Sequence, residues 1–158
     1  MQRILFPFGR ALALVAAAFA LSVAAVPAPA LAAKAETYTG VLGHVAVGGY
    51  DAVSFFTGAP VKGSDANKIT YKGAIYQFAT AENAAKFKAN PGAYAPQYGG
   101  YCAWAAAQGK TAPGDPKYWR VVNGKLYLNY NGDIQKKWEK DIPGFIAKGD
   151  ANWPKILK

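Results

Sequence analysis

The stretch Tyr118-Trp119-Arg120-Val121-Val122-Asn123-Gly124-Lys125-Leu126-Tyr127-Leu128-Asn129-Tyr130 decides the fold. Two runs rich in β-branched and aromatic residues flank Asn-Gly, the pair that two-residue hairpin turns select because both central positions need positive φ. Alternation places Leu126, Leu128 and Tyr130 on one face of the second strand and Tyr127 on the other. A second hairpin is expected upstream, pairing residues 68–71 with 74–78 across Lys72-Gly73.

Each hairpin leads into a helix signal. Thr80 is an N-cap for a helix over 81–89, with Glu82 in the first turn where a negative charge suits the dipole. That helix stops before Asn90-Pro91, because the residue preceding proline avoids helical angles. Asp133 reads as the cap of a helix over 134–141 that sets Ile134 and Trp138 one turn apart, with Pro143-Gly144 interrupting it and a last helical piece over 145–148. Asp51 can cap a short helical turn over 52–56, residues 57–67 and 111–117 read as loops, and residues 34–49 as irregular extended chain. The expected class is α+β: two short antiparallel β-hairpins packed with short helices in a single domain, over residues 33–158. No internal repeat is expected.

Residues 1–32 read as a cleaved Sec-type signal peptide. Arg3 and Arg10 supply the positive start, residues 11–25 an uncharged apolar run, and Ala30-Leu31-Ala32 the small-x-small pattern for cleavage after Ala32. The run is short for a bilayer span and is followed by Pro27 and Pro29, so the mature chain is not expected to be an integral membrane protein. A periplasmic or secreted location follows, with an envelope protein as a conceivable partner. Taking Arg3 and Arg10 from the 18 basic side chains leaves 16 against 9 acidic ones, +7 in net, which favours anionic partners without sequence specificity. The lysines are scattered, so no nucleic acid partner is expected.

Cys102 is the only cysteine, so no disulfide forms within the chain, and the only methionine is Met1, which excludes thioether-rich copper binding in the mature protein. Cys102 lies where a Pro and Tyr loop, Pro96-Gln97-Tyr98, meets Gly99-Gly100 and then the alanine-rich segment Ala103-Trp104-Ala105-Ala106-Ala107. A cysteine at a helix start feels unpaired N–H groups that favour the thiolate; a free cysteine is also among the most buried residue types, so a packing role stands beside the reactive one.

The hairpin and helix Tyr71-Lys72-Gly73-Ala74-Ile75-Tyr76-Gln77-Phe78, then Phe87, Asn90-Pro91 and Tyr94, resemble the core of a YHS domain. Gly49-Tyr50-Asp51, the segment from Pro96 to Ala103, Asp115-Pro116, the run from Gly124 to Tyr130 and Trp138 extend the resemblance to the longer exported branch of that family. The resemblance implies metal binding, as in the short YHS modules beside heavy-metal pumps. Where those modules carry cysteines, after the aromatic strand and one turn into the helix, this chain has Ala79 and Asn83.

A metal site in this chain would rest on Cys102 and His44, the sole histidine, with Asp51 and tyrosines as oxygen donors. Thiolate with imidazole suits copper first and zinc second. Two such ligands are too few for a closed zinc site, and His44 also reads as a plain loop histidine. The motifs of zinc proteases, phosphate-binding loops, Cys-x-x-Cys redox proteins and nucleophile elbows are absent, so a binding role is expected ahead of catalysis. The alternative to metal is a module that grips a small organic ligand or a protein through an aromatic cleft, with Tyr50, Asp51, Tyr98, Gly100 and Tyr101 as its residues.

Overall fold

A computed structural model describes residues 33–40 and 43–158; the expected signal peptide and its cleavage point lie outside the described residues. Strands β1 (Ser64–Tyr71) and β2 (Ala74–Phe78) form one antiparallel hairpin, and β3 (Asp115–Val122) and β4 (Lys125–Asn129) form the other. Helices α1 (Ala81–Ala89) and α2 (Pro91–Tyr94) follow the first hairpin, α3 (Ala103–Ala107) precedes the second, and α4 (Gly132–Trp138) and α5 (Ile142–Asn152) follow it. The α+β class and both hairpin turns are as the sequence predicts, with Lys72-Gly73 and Asn123-Gly124 all at positive φ.

Several boundaries move, each for a local reason. β1 and β3 begin earlier than expected because each carries a bulge, between Ser64 and Lys68 and between Asp115 and Trp119, that lets loop-like residues join a ladder. α4 is capped by Asn131, whose Oδ1 accepts the Ile134 N–H at 2.9 Å, and not by Asp133, which sits in the first turn. Pro143 and Gly144 do not interrupt a helix. They begin α5, where a missing N–H costs nothing, and Asp141 caps it.

Among the described residues two copies of one unit occur, against the expectation of no repeat. The hairpin registers coincide at a constant step of 51 positions, from Ser64 paired with Phe78 to Asp115 paired with Asn129, bulge included. Positive φ recurs at the same step, Val47-Gly48-Gly49 matching Tyr98-Gly99-Gly100 and Gly58 matching Gly109. The bridge of Tyr50 to Lys62 recurs as Tyr101 to Pro113, and the 2.9 Å bond from the Asp51 N–H to the Val61 carbonyl recurs as Cys102 to Ala112. Residues 46–94 and 97–145 are therefore equivalent units. Few side chains are shared beyond Gly-Gly-Tyr, the turn glycines and Tyr76 with Tyr127, which is why the alternation of strand residues did not reveal it.

β4 lies at the junction of the units. Leu126 and Leu128 face the first core, with Phe55, Phe78 and Phe87, while Tyr127 faces the second, with Tyr98 and Trp138. Both faces of β4 are thus buried, and Tyr130, expected to continue the buried face, lies beyond the strand and is 51% exposed. The segment at Lys34 is tied to the C-terminal end of the fold by the Lys34 N–H donating to the Leu157 carbonyl at 2.7 Å. Among the described residues no helix is long and apolar enough to cross a membrane.

Candidate functional site

Asp51 is fully buried, and its carboxylate is saturated. Oδ1 accepts the N–H groups of Val53 (2.9 Å) and Ser54 (3.3 Å), and Oδ2 accepts the Ala79 N–H (2.9 Å) and the Asn83 side-chain amide (2.8 Å). The carboxylate thereby pins the turn Ser54–Thr57 to the end of β2 and to α1. Buried charge is tolerated where such bonds replace water.

Cys102 occupies the matching place in the second unit and is 1% exposed. Its thiol donates toward Asn129 Oδ1 at 3.7 Å, and the same oxygen accepts the Trp104 N–H at 3.3 Å. Burial pushes the thiol above its ordinary range, while backbone N–H groups of Ala105, Tyr130 and Trp104 pull the other way. The net direction is up, so the resting thiol is protonated at neutral pH. His44 is exposed, and its carbonyl accepts the Ile75 N–H at 2.7 Å.

Among the described residues no three His, Cys, Asp or Glu side chains gather into a metal-binding group. Ala79 and Asn83, at the places where short YHS modules carry cysteines, both donate to Asp51. The described donors do not fit a closed copper or zinc centre, which needs three or four converging ligands.

The five expected cleft residues are spread over different surroundings. Asp51 is sealed inside, and Tyr50 lies beneath the Lys62 ammonium, 4.1 Å from the ring centre. Tyr98 donates its hydroxyl to Asp150 at 2.9 Å and borders one depression, Tyr101 borders another, and Gly100 lines a third. Burial and the Asp150 carboxylate both hold the Tyr98 phenol well above its usual range, and burial raises that of Tyr101.

The groove that Gly100 lines joins the two units. It has a volume of about 640 Å³ and is walled by Tyr38, Val47, Tyr118, Leu128 and Tyr130, with Asp115 and Asn131 as side-chain polar groups. Close backbone packing makes its floor: a Cβ on Gly114 would collide with the Gly100 carbonyl. Sequence reading missed Tyr38, Tyr118 and Tyr130. A signal was present for Tyr130, which stands between a strand end and the Asn131 cap and so is freed from the ladder.

Residues 52–98 match the family model of the YHS domain, a family associated in general with metal handling. Neither curated proteins nor solved structures gave a match to the chain.

Proposed function

We propose, for a chain that carries a YHS domain over residues 52–98, a non-catalytic binding role in which a small organic ligand seats in the groove between the two units. The observation that carries this reading is the groove itself, within the roughly 300–1,000 Å³ typical of small-molecule sites. Tyr38, Tyr118 and Tyr130 offer flat apolar area with polar tips, and Asp115 and Asn131 offer orienting hydrogen bonds. The 1–32 leader read from the sequence makes the envelope or the exterior the place of action. The test uses an anilinonaphthalene sulfonate dye as a probe of the groove. Saturable binding, unaffected by chelator and weakened by Tyr118→Ala and Tyr130→Ala, supports the reading; binding unchanged in both variants removes it.

Metal handling, copper first and zinc second, is the second reading, and the YHS match favours it. Because Cys102 and His44 are not gathered with a third donor, it requires ligands from a second chain or from solvent. Titration with Cu(I) and Zn(II) of the wild type and Cys102→Ala decides it: stoichiometric binding lost in the variant supports it, and equal binding removes Cys102 from any such site.

A further inference from the structure

We propose, resting on the groove reading above, that the ligand between the two units is an organic cation of the quaternary ammonium class, paired with the Asp115 carboxylate and packed against Tyr38, Tyr118 and Tyr130. Among the described residues Asp115 is the only Asp, Glu, Lys, Arg or His that lines the groove. The chain as a whole carries an excess of basic side chains, and three other depressions are each lined by at least one lysine. A concave, partly apolar wall with one carboxylate and no lysine is the place on this basic surface where a positive ligand meets attraction and not repulsion.

The carboxylate is only partly engaged by the protein. Its Oδ1 accepts the Lys117 N–H at 2.8 Å, and no Lys or Arg side chain pairs with it among the described residues. The Lys62 ammonium reaches the edge of the groove, donating to the Gly48 carbonyl at 2.6 Å, but it lies over the Tyr50 ring, 4.1 Å from the centre, and does not neutralise Asp115. Asn131 gives its Oδ1 to the Ile134 N–H at 2.9 Å, which leaves Nδ2 to donate to an oxygen carried by the ligand.

The repeat shows that the fold itself does not require these side chains. A step of 51 positions carries Asp115, Tyr118 and Tyr130 to Ser64, Asn67 and Ala79, on a hairpin of the same register. The first unit thus builds the same backbone without the carboxylate or either ring. Packing does not explain them either: Tyr130 is 51% exposed, and Tyr118 borders the start of α4, where a Cβ on Gly132 would lie 3.3 Å from its ring. Aromatic faces carry a negative potential that attracts cations, and quaternary ammonium groups are the ligands that aromatic cages recognise. Such a group presents apolar surface to the rings, needs no hydrogen bonds, and is less tightly hydrated than the compact ammonium of a lysine.

The test is a calorimetric titration of the full chain with choline and with its neutral carbon isostere, in which a tert-butyl group replaces the trimethylammonium. Choline should bind roughly tenfold more tightly than the isostere. Asp115→Asn, which keeps an acceptor for the Lys117 N–H, should erase most of that preference, and Tyr130→Leu, which keeps apolar area without a π face, should reduce it. The anilinonaphthalene sulfonate dye should bind Asp115→Asn more tightly than the wild type, because the carboxylate repels its sulfonate. Choline binding no tighter than that of the isostere, or a preference unchanged in Asp115→Asn, overturns the inference. Either result beside saturable dye binding that Tyr118→Ala weakens removes the cation and leaves the groove, whereas dye binding unchanged in Tyr118→Ala and Tyr130→Ala removes the groove and the cation with it.

Discussion

The Tyr98 hydroxyl donates to the Asp150 carboxylate at 2.9 Å, joining the positive-φ turn that opens the second unit to the C-terminal helix. Gly149 makes room for it, since a Cβ there would lie 2.5 Å from the Tyr98 oxygen. Tyr98→Phe should lower stability by about 1–2 kcal/mol, as expected for one bond to a charged group. Gly149→Ala should cost more, through the collision. Urea unfolding of both variants measures this, and an unchanged midpoint in Gly149→Ala would show that the helix docks elsewhere.

Asp51→Ala should be the most damaging single side-chain truncation in the first unit. It strands three backbone N–H groups and the Asn83 amide inside the protein, a loss on the order of 3 kcal/mol or more. Asp51→Asn keeps an acceptor and should cost less. Chemical denaturation that ranks the two equally would mean water enters the turn.

Thr80 and Asn131 stand at equivalent places and perform the same task, accepting the N–H three residues on at 3.1 and 2.9 Å. Thr80→Ala and Asn131→Ala should each lower stability by about 1 kcal/mol. Hydrogen exchange should show the added fraying confined to α1 in the first variant and to α4 in the second.

Alkaline pH should weaken the fold through its buried phenols. Burial, with the Asp150 charge, pushes Tyr127 up to about 12, and burial raises Tyr76 and Tyr98 in the same direction. A phenol whose folded value exceeds its unfolded one holds its proton more tightly in the native state. Its contribution is complete below about pH 10 and is lost as pH rises toward its folded value. Melting temperature should therefore fall as pH rises from about 10 toward about 12, and Tyr127→Phe should flatten that fall.

Glycines at different positive-φ turns should not be equally sensitive. A Cβ on Gly99 would run into the Glu36 carbonyl of the N-terminal segment, whereas at Gly124 it meets open space. Gly124→Ala carries only the strain of positive φ, about 1 kcal/mol. Gly99→Ala should also displace residues 34–40, making them the first site cut by a protease.

The hairpins were legible because Asn123-Gly124 and Lys72-Gly73 meet a local steric demand that few residue pairs satisfy. The Thr80 cap was legible for the same reason, since the cap and the N–H that it serves are three residues apart. The helix start at Cys102 could be read, but the burial of its thiol could not, because the groups that close over it come from Ala112, Leu128, Asn129 and Tyr130. His44 and Cys102 were paired by chemical type alone, and the fold gives them different surroundings. The repeat was hidden because its two copies share backbone conformation more than side chains.

By itself, the sequence determined the class, the two hairpin turns and the Thr80 cap, since these depend on φ, on strand alternation and on bonds within a few residues. Tertiary structure alone decided that Asp51 and Cys102 are equivalent, that β4 is buried on both faces, and that Tyr38, Tyr118 and Tyr130 wall one groove. Those relations join residues far apart in the chain, and they arise only when two units bury their apolar faces against each other.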